Sequence, residues 1–91
     1  MAAVQVLFEG NVQGVGFRYS VKQIAKGFEV TGFVRNLRDG RVELQAAGDE
    51  EEMRAFLDAV STSEIRAHIK KQTELPLAAG SAFRGFDIRH E

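Results

Sequence analysis

AVQVLFEGNVQGVGFRYSVKQIAKGF, residues 3–28, changes its hydrophobic period part-way along, and that change decides the fold. From Ala3 to Glu9, the residues Val4, Val6 and Phe8 alternate with Ala3, Gln5, Leu7 and Glu9, the period of two expected of a strand buried mainly on one face. Further on, Phe17, Val21, Ile24, Ala25 and Phe28 fall at i, i+4, i+7, i+8 and i+11, the stripe of an amphipathic helix, and Gly27 stands where a left-handed C-cap belongs. Between the two patterns, Gly10 to Gly16 holds three glycines in seven positions, where average usage of about 7% predicts about half of one. A strand therefore feeds a helix through a loop whose backbone turns sharply or lets something approach closely.

Outward from that stretch, Val30 to Arg35 reads as a second strand, and Asn36-Leu37-Arg38-Asp39-Gly40 contains the Asp-Gly pair of a hairpin. In the third strand Val42, Leu44 and Ala46 alternate with Arg41, Glu43 and Gln45, which predicts one apolar and one wet face. Asp49 precedes Glu50, Glu51 and Glu52, an N-cap with Glu52 at the capping-box position and negative charge at the positive end of the helix dipole. Met53, Phe56, Leu57 and Val60 give that second helix its buried stripe. Ile65, Ala67, Ile69 and Lys71 alternate with Arg66, His68, Lys70 and Gln72 as a fourth strand, Pro76 to Gly85 reads as a loop, and Phe86 and Ile88 form a short C-terminal edge strand. The order βαββαβ is that of an α+β, ferredoxin-like sandwich. Right-handed crossovers place both helices on one face of an antiparallel sheet and let the loop after strand 1 meet the turn after strand 2.

With 91 residues, 44% apolar and 27% charged, the chain reads as a single domain over residues 1–91. The absence of cysteine excludes disulfides, thiolate nucleophiles and cysteine-ligated metals, and with nothing pointing to an oxidising compartment the expected location is cytoplasmic. Twelve basic and thirteen acidic residues give a net charge of −1, no field for drawing in nucleic acid or an anionic membrane, so neither is an expected partner. The apolar runs fall far short of the ~20 residues of a membrane span. A soluble monomer is expected.

Chemistry is expected in the loop. Successive N–H groups there can converge on one point, and the helix start adds roughly half a positive charge, which suits a phosphate-sized anion. Arg18 in the first turn costs roughly 0.3–1 kcal/mol against the dipole unless an anion lies between. A tight turn with Arg18 in solvent explains the same residues, so both readings stay open here. The loop is neither a Walker motif nor the G-x-G-x-x-G order, which argues against ATP and NAD. The Asn36 carboxamide can hold a nucleophilic water or simply serve the turn. Arg35, Arg38 and Arg41 read as solvated strand or turn ends. His68 and His90 read as solvated, without carboxylates at metal-ligand spacing, and Ser20 has no neighbouring histidine to activate it. Any hydrolysis would run on positioning and electrostatics.

Gly10-Asn11-Val12-Gln13-Gly14-Val15-Gly16-Phe17-Arg18, followed by Gly32-Phe33-Val34-Arg35-Asn36-Leu37-Arg38-Asp39-Gly40-Arg41-Val42-Glu43, resembles the two signature segments of acylphosphatases, and the likeness extends to Phe86-Asp87-Ile88. The resemblance implies a cofactor- and metal-free hydrolysis of acyl phosphates to a carboxylate and inorganic phosphate. It puts the phosphate-binding loop at residues 10–18, the catalytic arginine at Arg18 and the water-orienting asparagine at Asn36, with phosphate or sulfate as expected site ligands. The chain departs from the family where Phe33 replaces Trp or Tyr, where Asn11 replaces a basic residue, and where Ser61-Thr62-Ser63-Glu64 replaces a Gly-Pro pair. Two alternatives share the element order. One is a non-catalytic anion-binding or regulatory ferredoxin-like domain. The other is an RNA-binding module, of which Lys26-Gly27-Phe28 and Phe33 give a faint and misplaced echo.

Overall fold

In the computed structural model, which describes residues 2–78 and 83–90, the chain runs β1 (Ala2–Gly10), α1 (Phe17–Ala25), β2 (Val30–Asn36), β3 (Val42–Gly48), α2 (Glu50–Thr62), a 3-10 turn (Glu64–His68), β4 (Ile69–Pro76) and β5 (Phe86–Arg89). The strands form one sheet in the order β4-β1-β3-β2-β5. Val4, Val6 and Phe8 lie opposite Ala46, Leu44 and Val42 in the antiparallel β1–β3 register, so the period of two puts one apolar row from each strand on the same face. Phe17, Val21 and Ala25 of α1 and Met53, Phe56, Leu57 and Val60 of α2 close over that face as one buried cluster. Aromatic contacts fasten the helices down: Phe17 lies 5.0 Å from Phe8, and Phe56 lies 6.0 Å from Phe28 and 5.6 Å from Phe86, centroid to centroid. No helix among the described residues is long and apolar enough to cross a membrane.

Three of the four pairings, β1–β3, β1–β4 and β2–β3, match the antiparallel expectation. β5 pairs parallel with β2, so the sheet is mixed at that edge. Topology requires this: the chain leaves β4 at one edge, reverses once and enters at the other, where β2 then runs in the same direction. The fourth strand begins at Ile69, because residues 64–68 form the 3-10 turn with Ile65 buried. Ile65 and Ile69 satisfy a helical i, i+4 spacing as well as the strand alternation. Of the loop expected over Pro76 to Gly85, Pro76 belongs to β4 and residues 79–82 lie outside the described residues.

Two caps also differ from expectation. α1 ends without a left-handed glycine; Gly27 and Phe28 instead donate to Ile24 O and Ala25 O in a tightened last turn. At α2, Asp49 accepts from the Glu51 N–H at 3.2 Å as predicted, but Glu52 closes no capping box, since its carboxylate takes the N–H of Glu29 at 2.9 Å.

Candidate active site

Gly14 and Gly16 hold the loop's shape with φ of 78° and 75°, in the left-handed region, although a Cβ at either would meet nothing within 4 Å. Backbone conformation is therefore the reason for glycine at both. Gly16 is the N-cap of α1 and offers no side-chain bond, and no acidic residue follows in the first turn. α2 starts in the opposite way, with the Asp49 cap and three glutamates. Among the described residues, no hydrogen bond uses the backbone N–H of residues 12–18, and the first bond into α1 is Ser20 N–H to Gly16 O at 3.0 Å. The first two residues of the expected loop are engaged at the start of β4. Gly10 pairs with Ile69 at the end of β1, and the Asn11 N–H donates to His68 O at 3.0 Å, because a register shift there turns the chain against β4.

The expected meeting of the loop with the turn after strand 2 is made by one side chain. Gln13 Nε2 donates to Leu37 O at 2.7 Å and to Arg41 O at 2.9 Å. Within the turn, Leu37 N–H donates to Arg41 O at 2.8 Å. Asn36, the residue before Leu37, ends β2 opposite Val42 and so lies on the helix-covered face. Its Oδ1 is buried without a hydrogen-bond partner, the one such side-chain atom among the described residues. A buried carbonyl oxygen left unpaired costs about 1–3 kcal/mol, and this one belongs to a residue that lines a cavity, where a water or a ligand can donate to it.

Arg18 and Asn36 line one cavity of about 270 Å³, with Val12, Gly14 and Gly16 of the loop, Phe17 and Tyr19 of α1, and Ile88 and His90 of the C-terminal segment. Arg18 forms no ion pair with the described residues; its one polar neighbour is His90, with Nη1 3.5 Å from Nδ1. His90 was therefore missed as a pocket residue, since nothing local relates it to a side chain 72 positions away. The other arginines are engaged or remote. Arg41 pairs with Asp39 at 2.8 Å, and the Arg41 backbone N–H, then its guanidinium, hold that carboxyl below the ordinary range despite slight desolvation. Arg38 is exposed in the turn. Arg35 reaches across the sheet's other face to Glu43 at 2.5 Å.

That face corrects the expected wet side of β3. Glu43 is only 3% exposed and accepts from Gln5 at 2.5 Å, Gln45 at 3.1 Å and Arg35. Burial pushes its carboxyl up, but the donors Gln45, Gln5 and Arg35 together outweigh burial and hold it below the ordinary value. Phe33 beside them is covered by Phe83, 5.8 Å between ring centroids, and by the Arg89 guanidinium 4.0 Å above the ring. Phe33 is packing, and it offers no open platform for stacking an RNA base.

The chain as a whole is similar to known proteins. The family model for acylphosphatase matches residues 4–88. The chain belongs to the acylphosphatase family. It is 36% identical over 90 residues to an acylphosphatase of Archaeoglobus fulgidus, covering 99% of this chain and all of that one. Over 90 residues it is 37% identical to one of Geobacillus kaustophilus, covering 99% and 96%. Its fold is similar to the crystal structure of acylphosphatase from Bacillus subtilis, with a TM-score of 0.88 and 31% identity over 98% of this chain and 99% of that one. Family membership makes the chain a hydrolase of the carboxyl-phosphate anhydride. The departures from the family pattern fall away from the cavity: Asn11 is exposed, and where a Gly-Pro pair would stand Ser63 Oγ donates to Val60 O at 2.7 Å and closes α2.

Proposed function

We propose that the N–H groups of residues 12–18 and the Arg18 guanidinium hold the phosphoryl group of an acyl phosphate while Asn36 orients the water that attacks phosphorus. In phosphoryl transfer, charge spreads over the three equatorial oxygens with attacking and leaving oxygens roughly in line. Preorganised amides and a forked guanidinium meet that charge without reorganising. The Asn36 Oδ1, buried and unpaired, accepts a hydrogen bond from the water and aims its lone pair; an amide at neutral pH supplies orientation, not basicity. The water oxygen bonds to phosphorus as the phosphorus–oxygen bond to the acyl group breaks. The bond's electrons leave with the carboxylate, and the water's proton passes to a phosphoryl oxygen. Because a carboxylate leaves readily, no side chain is needed as general acid. Small acyl phosphates are the substrates, with phosphate or sulfate as site ligands, and the working unit is a cytoplasmic monomer.

The observation that carries this reading is the joint presence of Arg18 and the unpaired Asn36 Oδ1 in one cavity under the uncapped start of α1. The test is hydrolysis of benzoyl phosphate by Arg18→Gln and Asn36→Ala. Each should lose about 10²–10³ of kcat, the worth of one preorganised donor or positioning group, with an unchanged circular dichroism spectrum. Wild-type rates in both variants overturn the assignment. Thermal stabilisation by phosphate without turnover in the wild type indicates an anion-binding domain instead.

A further inference from the structure

Only three large apolar side chains stand exposed among the described residues: Val15 at 37%, Tyr19 at 62% and Leu75. The first two flank the candidate phosphoryl pocket, Val15 from the loop and Tyr19 from the first turn of α1. Tyr19 also lines a second cavity, of about 310 Å³, between α1 and the 3-10 turn, where Ile24 and Ile65 form the apolar wall and Glu64 stands at the rim. One ring thus borders both cavities. The second cavity lies at the lower end of the volumes that small-molecule sites occupy, about 300–1,000 Å³.

The direction of the reaction brings the acyl group to this side. Asn36 stands on β2, and an in-line displacement sends the leaving oxygen away from the attacking water. Arg18 and Tyr19 are successive on a helix and project about 100° apart. Arg18 and Asn36 share one cavity, and the largely exposed Tyr19 lines both that cavity and the second, so it stands between the phosphoryl site and the second cavity. We propose that the second cavity, bordered by Tyr19 and walled by Ile24 and Ile65, is the acyl subsite, and that it selects acyl phosphates whose acyl group is apolar and uncharged, aryl or medium-chain alkyl. This rests on the reading of Arg18 and Asn36 as the phosphoryl site. The Glu64 carboxylate at the rim adds discrimination against an acyl group bearing its own carboxylate, since like charges repel where water is partly excluded.

The test compares variant-to-wild-type ratios of kcat/KM across benzoyl, acetyl and succinyl phosphate, so that the intrinsic reactivity of each anhydride cancels. Tyr19→Ala should lower kcat/KM for benzoyl phosphate about tenfold more than for acetyl phosphate. That is the low end of the ~10–200-fold assigned to one methylene in a closed pocket, as suits a cavity open to solvent. Tyr19→Phe should restore most of the loss, because the ring face and not the hydroxyl makes the contact. Glu64→Gln should raise kcat/KM for succinyl phosphate several-fold relative to acetyl phosphate. Equal effects of Tyr19→Ala on benzoyl and acetyl phosphate overturn the subsite, as does a Phe variant no better than Ala. Wild-type turnover of acetyl phosphate and its loss in Arg18→Gln report separately on the phosphoryl site, so a failure there is not mistaken for a failure of the subsite.

Discussion

Replacing Gln13 with alanine removes the one side chain that ties the loop to the turn following Asn36. Its Nε2 makes two part-buried bonds, 2.7 Å to Leu37 O and 2.9 Å to Arg41 O. Each neutral bond of this kind contributes about 0.5–1.5 kcal/mol net, so the loss is about 1–3 kcal/mol. A domain of this size then melts lower by about 4–8 °C for each kcal/mol. Turnover should fall further than that loss alone explains. Gln13 precedes the glycine-shaped segment that presents the N–H groups, and Leu37 directly follows Asn36, so cutting the tie frees the amide cradle to shift against the water-holding carboxamide. A misplacement of about 1 Å between reacting groups costs on the order of 10²-fold in rate. Because the amides and Arg18 remain, KM should move much less than kcat. Gln13→Glu should be no better, since a carboxylate brings only acceptors against two carbonyl oxygens. Steady-state hydrolysis of benzoyl phosphate followed in the ultraviolet, below the melting range of every variant, with urea midpoints for stability, measures both effects. If Gln13→Ala loses the expected stability yet keeps the wild-type kcat, the tie is purely structural and the reasoning fails.

The remaining predictions concern Glu43 and His90. The Glu43 carboxyl is held below its ordinary value of 4.5 in the folded chain, so as pH falls through that value the unfolded state binds the proton first and stability drains away until the folded carboxyl titrates too. Glu43→Gln should therefore be less stable at neutral pH by about 1–2 kcal/mol, a charge-assisted network discounted for the partly exposed Arg35, and acid melts of the two proteins should converge below about pH 4.5; parallel curves would refute the shift. His90→Ala removes the only polar neighbour of Arg18 among the described residues, which should lower kcat/KM for acyl phosphates about threefold, the worth of one weak exposed bond. His90→Gln, whose carbonyl oxygen can accept as Nδ1 does, should recover the activity, and an inactive Gln variant with an active Ala variant would reverse the assignment.

Most of the architecture is legible because burial writes it locally. Val4, Val6 and Phe8 must share a face, as must Met53, Phe56, Leu57 and Val60, and each pattern repeats within a few residues of itself. What was misread depends on distant partners. The alternation around Glu43 correctly says which face it occupies, but not that Gln5, 38 positions away, and Arg35 will roof that face over. The capping-box spacing correctly places Glu52 on the first turn of α2, but the Glu29 N–H, 23 positions away, takes its carboxylate instead. Ile65 and Ile69 satisfy two periods at once, and only the route from α2 to the sheet edge chooses between them. The site divides in the same way: Arg18 and Asn36 are marked by their place beside glycine-rich turns, whereas Gln13 and His90 acquire their contacts only when the chain closes.

The two helix starts show why the pocket is more than a turn. α2 begins with an aspartate cap and three glutamates, the arrangement that satisfies free N–H groups and the dipole together. α1 begins with a glycine, no acidic residue and a cation. Glycine in place of a side-chain cap costs only about a few tenths of a kcal/mol, the misplaced charge roughly 0.3–1, and the Asn36 oxygen, where nothing pairs it, about 1–3. Together these reach about 2–4 kcal/mol, against a total stability of about 5–15 for a typical domain. Scattered over the surface, such losses would need separate explanations. Here they all border one cavity, and a single bound dianion with its attacking water answers each of them: it accepts from the N–H groups, lies between Arg18 and the dipole, and gives Oδ1 a donor. A fold under pressure only for stability would start α1 as it starts α2, and the proposed phosphoryl site accounts for the contrast within one chain.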